Sequence, residues 1–272
     1  MTAPSPSWEQ LIDRYLTAEN AAGRPATTRR LRRDQLTRFS HDIDCTPGEL
    51  TYERIEAWFG QQTAWALETR RSNRGALLSF LRWANKAGVI AEPLYEALPV
   101  IKSGKASPRP TPDDVWAAAL AAADDRGRLM MRLAAEAGLR RSEVAKVHSR
   151  DLLTGPSLLV HGKGAKDRVI PINDDLAQAI SQADGWLFPG RIDGHMTPRS
   201  VGNVVTDALP DGWTMHTLRH RFATRAYRGS RNLRAVQTLL GHASVATTER
   251  YTAVDDDEVR AAMMAARADE AP

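Results

Sequence analysis

The sequence predicts a mainly α-helical protein in two domains, with one small β-hairpin. The chain has 272 residues, which is more than one small hydrophobic core needs. Apolar side chains recur at helical spacing through most of it, whereas residues 157–172 show two short β-type runs around a glycine and lysine turn. Residues 101–112 contain three prolines, three basic residues and no acidic residue, which is typical of a linker.

The first domain, residues 1–100, is predicted to be all-helical. A first helix begins near Ser7 and ends at Gly23 and Pro25, and Thr27 or Thr28 is expected to cap the second. The remaining helices have the same apolar spacing and cover residues 29–39, a segment from about residue 51, and residues 65–86.

The second domain, residues 113–272, is predicted to be mixed. The hairpin at 157–172 is its only predicted β-structure. Its predicted helices cover residues 113–123, 128–137, 174–183, 198–208, 217–229, 231–240 and 244–251. The tail after Asp257 places Val259, Met263 and Ala266 in a narrow apolar stripe, so a C-terminal docking helix is expected there.

The composition points away from secreted, membrane and metal-dependent proteins. Cys45 is the single cysteine, so no internal disulfide can form, and no cysteine and histidine cluster has zinc-ligand spacing. The first seven residues lack a signal-peptide pattern, and no apolar run approaches the roughly 18–20 residues of a membrane span. A cytoplasmic protein without cofactor, metal or membrane partner is therefore expected.

Two helices of the first domain are rich in arginine. One such helix is commonly only a solvated face, but two in one small domain favour a surface that contacts DNA phosphates. The linker is also basic and suits contact with a phosphate backbone. The candidate DNA-binding residues are Arg29, Arg30, Arg33, Arg70, Arg71, Arg74, Lys102 and Lys105.

Four islands in the second domain carry the candidate chemistry. They are GLRRSE at 138–143, GKGAKDR at 162–168, HTLRHRFAT at 216–224 with LLGH at 239–242, and Tyr251. Together they resemble the active-site motifs of tyrosine site-specific recombinases, which include phage integrases, Xer resolvases and Cre. The resemblance implies a two-domain layout close to Xer and Cre, with a helical domain that binds the core site and an α+β catalytic domain of the tyrosine-recombinase type. The matching residues are Arg140, Glu143, Lys163, His216, Arg219, His242 and Tyr251.

The residue types suit phosphoryl transfer without a metal. Negative charge builds on the phosphate oxygens during strand exchange, and arginine stabilises it best because its planar group stays charged and can donate two hydrogen bonds. Arg140 and Arg219 are therefore predicted to hold one phosphate from opposite sides. Glu143 follows Arg140 by one helical turn and is expected to orient these site residues.

The candidate nucleophile is Tyr251. A tyrosine has a pKa near 10 and needs nearby cations and a proton acceptor, for which His216 is the candidate. Lys163 resembles the family's general acid for the leaving 5′-oxygen, and His242 would donate a hydrogen bond to the scissile phosphate. The resemblance implies a 3′-phosphotyrosine ester, which conserves bond energy so that rejoining needs no ATP.

Other charged residues of the islands receive lesser roles. His216 and His220 are four residues apart on one helix, which could suggest a metal pair, but no glutamate follows His216 as it does in zinc proteases. His220 is interpreted as a surface or core histidine. Arg141, Arg221 and Arg225 are interpreted as phosphate or surface contacts.

The expected partner is double-stranded DNA carrying core sites. The resemblance implies four protomers on two sites through a Holliday junction, and a monomer or weak dimer when free. An accessory bending or directionality protein is possible. The C-terminal helix could dock on a neighbour or fold back in cis. Integration or excision of a phage or mobile element is the favoured role, with Xer-type resolution and transposon recombination left open. A type IB topoisomerase and an idle DNA-binding regulator are the alternatives.

Overall fold

The computed structural model describes residues 6–102, 108–162 and 166–241. The chain forms two compact units, Met1–Gly104 and Lys105–Pro272. The boundary between them falls inside the segment predicted as a linker.

Four α-helices form most of the described part of the first unit. Ser7 starts the first helix with a capping box. The Ser7 hydroxyl accepts from the backbone N–H of Gln10, and the Gln10 side-chain oxygen accepts from the backbone N–H of Ser7. The second helix begins at Ala26, three residues earlier than predicted, with Pro25 in the N-cap position. Thr27 and Thr28 therefore lie inside the helix rather than capping it. The helices are α1 (Trp8–Ala21), α2 (Ala26–Asp42), α3 (Tyr52–Gln61) and α4 (Leu67–Lys86).

Aromatic side chains hold these helices together. Phe39 of α2 meets Trp58 of α3 edge to face with ring centroids 4.9 Å apart, and Tyr15 of α1 meets Phe80 of α4 in the same way at 5.5 Å. Each such pair adds roughly 0.5–1.5 kcal/mol beyond the burial of its area. The apolar spacing that predicts the helices therefore also places their aromatic residues in one core.

The core of the second unit includes the apolar face of its second helix. Its helices are α5 (Asp113–Ala122), α6 (Asp125–Ala135), α7 (Arg141–Val144), α8 (Asp174–Ser181), α9 (Pro198–Ala208), α10 (Met215–Ser230) and α11 (Leu233–Leu240). Met130, Met131 and Leu133 of α6 are wholly buried. The chain leaves α6 through Gly138, whose φ is +68° and whose missing Cβ leaves room for the Phe222 ring, 2.5 Å from where a Cβ would lie. This turn leads directly into the GLRRSE island.

The β-structure is a three-stranded antiparallel sheet in the order β1 (Leu152–Leu153), β2 (Ser157–His161) and β3 (Asp167–Pro171). The predicted hairpin corresponds to β2 and β3, in which Val160 is opposite Arg168. Strand β1 escaped prediction because two residues show no alternation. A further short strand, β4 (Pro189–Ile192), makes an isolated bridge from Pro189 to His195. The prediction of a mainly helical fold with a small hairpin sheet is confirmed.

Two arginines of α10 hold the start of the second unit. Arg221 is buried, donates to the Thr111 carbonyl at 3.2 Å and pairs with Asp113. Arg225 reaches the same carboxylate at 3.1 Å. Both guanidinium groups bind the segment that leads into α5. Because Arg221 is buried, its interpretation as a phosphate or surface contact gives way to a structural role, whereas for the exposed Arg225 that interpretation stays a prediction.

Candidate active site

Glu143 lies at the centre of the candidate site. Its Oε2 accepts from the Arg140 backbone N–H and its Oε1 from Arg140 Nη1, both at 2.8 Å. The first contact caps α7, and the second holds the Arg140 side chain in place. A single carboxylate can make both contacts because Glu143 follows Arg140 by three residues. The predicted orienting contact of Glu143 is present in the structure.

Arg168 completes this arrangement, and sequence reasoning missed it. Its Nη1 and Nη2 donate to the two oxygens of Glu143 at 2.9 Å each, and its Nε donates to the Leu239 carbonyl at 2.8 Å. Such a two-pronged contact is the most directional geometry an arginine makes. The available signal was its place as the last residue of the GKGAKDR island, but nothing in the spacing links residue 168 to residue 143.

Arg219 of α10 forms the buried floor of the site. It is 3% exposed, donates to the carbonyls of Gly138 and Leu240, and lies with Nη1 3.7 Å from Glu143 Oε2. The structure therefore gathers both predicted arginines, Arg140 and Arg219, around one carboxylate, although 79 residues separate them in sequence.

The electrostatics of this cluster keep Glu143 ionised. Burial by itself raises the pKa of Glu143, but hydrogen bonds from the Arg168 guanidinium and the Arg140 backbone outweigh burial and bring the pKa to about 2. Three guanidinium groups, those of Arg140, Arg168 and Arg219, surround this one negative charge. The four side chains together carry a net charge of +2, which suits binding of a phosphate.

His216 lies at the start of α10 beside the two arginines. Desolvation by the surrounding protein, with the positive charges of Arg219 and Arg140, lowers the pKa of its imidazole. The lowered pKa keeps His216 neutral at pH 7, which is the state that can accept a proton.

These side chains line an open cleft of about 500 Å³. Arg140, Arg219 and His216 form part of one wall, and Arg141 extends across Gly202 of α9. A Cβ on Gly202 would lie 2.8 Å from the Arg141 side chain, so the missing side chain gives this arginine its place. Arg141 is exposed and lines the cleft, and its interpretation as a phosphate or surface contact stays a prediction.

Comparison with known proteins decides the family. The model of the phage integrase family matches residues 111–258, more than half of the chain. The chain belongs to the phage integrase family. The resemblance to tyrosine recombinases is thereby confirmed.

Two curated relatives and one solved structure show how far this similarity extends. The integrase-family chain is 32% identical to tyrosine recombinase XerD of Caulobacter vibrioides, over 91% of this chain and 92% of that protein. It is 33% identical to tyrosine recombinase XerC of Rhodospirillum centenum, over 78% of this chain and 70% of the relative. A lambda integrase fragment, residues 75–356, solved as a dimer bound to a COC′ core site, shares the fold with a TM-score of 0.74 at 19% identity, over 90% of this chain and 95% of the other.

Several predicted site residues of this family member lie outside the described residues. They are Lys163, His242, Tyr251 and Lys105, together with the predicted helix at 244–251 and the stripe of Val259, Met263 and Ala266. The description of the chain ends at Gly241, which closes α11 in the left-handed conformation with φ +62°. A Cβ there would lie 3.0 Å from the Arg168 side chain, so the glycine allows α11 to end against Arg168.

Three of the candidate DNA-binding arginines, Arg29, Arg70 and Arg74, donate to carbonyls of their own unit, and Arg29 does so to the Arg24 carbonyl at 3.1 Å. Arg70 donates to the Phe59 and Gln62 carbonyls at the end of α3, at 2.9–3.2 Å. Arg74 Nε donates to the Pro99 carbonyl at 2.6 Å. These contacts stabilise the fold of the helical unit, whatever other contacts these arginines make.

Of the other described candidates, Arg30, Arg33, Arg71 and Lys102 are exposed. Arg33 pairs with Asp13 at 2.7 Å and Arg71 with Glu68 at 2.8 Å, each on the surface. Arg29 is half-buried and also bonds to the Asn20 side chain. The DNA contacts assigned to these residues stay predictions.

Within the described part of the chain, no group of three or more His, Cys, Asp or Glu side chains is arranged to hold a metal ion. Across those same ranges, no helix is long and apolar enough to cross a membrane.

Proposed function

We propose that this tyrosine recombinase cuts and rejoins DNA at specific sites through a 3′-phosphotyrosine intermediate on Tyr251. The observation that carries the proposal is the convergence of Arg140, Arg219 and His216 on one cleft around the buried carboxylate of Glu143. A positively charged cleft whose guanidinium groups are already oriented is what stabilisation of a phosphoryl transition state requires.

Arg140 and Arg219 divide the phosphate-binding work between them. Arg140 is partly exposed, with a side-chain exposure of 36%, and Glu143 holds its Nη1, so it can meet a phosphate without first being ordered. Arg219 is buried and donates to two backbone carbonyls, so it supplies a fixed positive charge at the floor of the cleft. An arginine oriented before substrate arrives loses less side-chain freedom when the substrate binds.

In the proposed reaction one bond to phosphorus forms as another breaks, and each proton has a donor and an acceptor. The Tyr251 hydroxyl gives its proton to His216, its oxygen forms a bond to the scissile phosphorus, and the bond to the 5′-oxygen breaks. Lys163 donates a proton to that 5′-oxygen, and His242 donates a hydrogen bond to the phosphate. Attack by the 5′-hydroxyl of a second strand reverses these steps, first forming and then resolving a Holliday junction without ATP.

The proposed partner is a pair of DNA core sites held by four copies of this chain. The lambda integrase dimer that shares this fold was solved on a core site, which supports DNA as the substrate. An accessory DNA-bending or directionality protein remains part of the proposal. Integration or excision of a mobile element and Xer-type resolution of chromosome dimers both fit the chemistry. The similarity to XerC and XerD over most of their lengths supports the second role.

The test is formation of a covalent adduct between protein and DNA. Purified protein is incubated with EDTA and labelled fragments, some from the DNA beside its own gene and some from the rest of the chromosome. The mixture is then denatured in SDS. Wild type is expected to form an adduct on one fragment, and the Tyr251→Phe variant none, because only the phenol oxygen can form the ester.

The position of the reactive fragment separates the two roles. A site beside the gene indicates a mobile element, and a distant chromosomal site indicates Xer-type resolution. An adduct in Tyr251→Phe would show another nucleophile, and no adduct on any fragment would favour a DNA-binding regulator. Relaxation of arbitrary supercoiled DNA by the isolated protein would favour a type IB topoisomerase.

A further inference from the structure

His220 lies one turn after His216 on α10 and contacts it directly. The two Nε2 atoms are 3.0 Å apart, and the ring centroids are 4.2 Å apart. One nitrogen must donate and the other accept, so this hydrogen bond depends on where each ring carries its proton.

A backbone contact decides the proton position on His220. The Arg109 N–H donates to His220 Nδ1 at 3.1 Å, so Nδ1 must be an acceptor without a proton. The proton of a neutral His220 is therefore on Nε2, which donates to Nε2 of His216. His216 in turn carries its own proton on Nδ1, because its Nε2 is the acceptor.

Arg109 is itself held in place. Its guanidinium lies over the Trp213 ring, 4.3 Å from the centroid, which is close enough for a cation–π interaction. Two residues on, Thr111 donates from its backbone to the Thr217 carbonyl at 3.2 Å and from its hydroxyl to the Thr217 hydroxyl at 2.9 Å. The segment that sets the state of His220 is therefore bound along α10 at several points.

Both imidazoles are neutral at pH 7. Burial, followed by repulsion from the protonated form of His216 and from Arg219, lowers the pKa of His220 to about 4. Among the described residues, the charged groups that act on the His216 ring are Arg219 on α10 and Arg140 before α7, and both oppose protonation of His216. The hydrogen bond between the rings is therefore one between two neutral imidazoles.

We propose that His220 is a positioning residue that fixes the tautomer of His216, with a proton on Nδ1 and a basic Nε2 held by His220. This inference rests on the proposed function only where it concerns catalysis, since His216 is there the proton acceptor. To take the proton of Tyr251 on Nε2, His216 must release the His220 N–H. His220 therefore lowers the basicity of the nitrogen that reacts, and the interpretation of His220 as a surface or core histidine is incomplete.

The first test needs no activity. The full chain is labelled with ¹⁵N at histidine, and long-range proton–nitrogen spectra are recorded, with signals assigned from His216→Gln and His220→Gln. At pH 7 we expect His216 protonated on Nδ1 and His220 on Nε2. A spectrum with His216 protonated on Nε2, or charged, overturns the proposal.

The second test measures the pKa of His216 in variants. His220→Leu removes the donor, so the pKa of His216 should rise by about half to one unit, the size expected from loss of one hydrogen bond. His220→Gln keeps an oxygen to accept from Arg109 and an amide to donate to His216, so its titration should stay near wild type. An unchanged pKa in a folded His220→Leu protein contradicts the proposal.

His148→Leu is the matched control. His148 is also half-buried and also accepts a backbone N–H at Nδ1, from Arg150 at 3.2 Å, but it does not line the cleft. Its removal should leave the His216 titration unchanged. If His220→Leu fails to fold, the tautomers measured in wild type and the titration of His216 in His220→Gln still test the proposal.

Adduct formation then links the tautomer to catalysis. The acid limb of the pH–rate profile should move to higher pH in His220→Leu and lie at its wild-type position in His220→Gln. A merely structural loss would lower the yield of adduct without moving the acid limb. If wild type forms no adduct, the proposed function fails, but the spectra still test the contact between His220 and His216.

Discussion

Two groups of arginines, one in each unit, use the residue in opposite ways. On α2 and α4 of the first unit, guanidinium groups such as Arg33 and Arg71 lie at the surface and each pairs with one exposed carboxylate. In the second unit, Arg140 and Arg168 share Glu143, whose side chain is 1% exposed. The same residue type thus lies at a solvated surface around Arg33 and Arg71 and in a buried charged cluster around Glu143.

Burial and sharing explain the difference. An exposed ion pair contributes roughly 0–1 kcal/mol, because water and salt screen it and two flexible side chains must be ordered. Removing one partner of a buried pair costs roughly 3–5 kcal/mol, because the remaining charge has lost its compensation. Arginine content alone therefore says little about what a segment does.

The largest effect is expected from Glu143→Ala. Loss of this carboxylate leaves the half-buried Arg168 without its two-pronged partner, so the free energy of unfolding of the second unit should fall by roughly 3–5 kcal/mol. Urea unfolding followed by tryptophan fluorescence measures it. Glu68→Ala, which removes the exposed partner of Arg71, is the control and should change stability by less than about 1 kcal/mol. Equal losses of stability in the two variants would show that burial does not make the Glu143 cluster more stabilising than the exposed pair.

The next effect concerns pH. Glu143 has a pKa of about 2 when folded and an ordinary value of 4.5, so it stabilises the folded state above pH 4.5 and loses this contribution as the pH falls towards 2. The difference corresponds to at most about 3 kcal/mol. Stability measured from pH 6 to pH 2 should therefore fall less steeply in Glu143→Gln. Parallel curves for wild type and variant would show that the carboxylate is not the linked group.

A smaller effect separates two adjacent arginines of α2. Arg32 turns inward, pairs with Glu19 and donates to the Tyr15 and Ser79 hydroxyls at 2.6 and 3.1 Å. Arg32→Met should therefore lower the stability of the first unit by roughly 1–3 kcal/mol. Arg33→Met at the exposed neighbouring position should stay within about 0.5 kcal/mol of wild type, and thermal unfolding of both variants checks the difference. A costly Arg33→Met would mean that its pair with Asp13 is stronger than its exposure implies.

The smallest stability effect is expected at Arg71. Arg71→Ala should change stability by no more than about 0.5 kcal/mol. If Arg71 contacts a DNA phosphate, the variant should reduce by about one the slope of log affinity against log salt concentration. Arg70→Ala is the comparison, since Arg70 donates to carbonyls at the end of α3. This variant should act mainly on stability and less on the salt dependence of binding. Binding titrations at several salt concentrations decide, and an unchanged slope for Arg71→Ala would remove it from the interface.

Sequence patterns predicted contacts that are local in the chain. The three-residue spacing of Arg140 and Glu143 predicted that the carboxylate orients the arginine, and the structure has both contacts at 2.8 Å. The helical pattern of α9 predicted its bounds, Pro198–Ala208. Arg168 was missed because its contact with Glu143 joins residues 25 positions apart, on a helix and a strand, and no short spacing encodes that pairing.

The sequence by itself determined most of the elements, the family and a candidate residue list, because apolar periodicity, turn residues and motif islands are local properties. Only the tertiary structure decided which arginines are buried and which donors find acceptors. Arg32 and Arg33 are indistinguishable in a charge count, yet one lies against Glu19 and the other in solvent. The tautomer inferred for His216 depends in the same way on Arg109, 107 residues away, because hydrogen bonds to buried groups are settled only when the chain has folded.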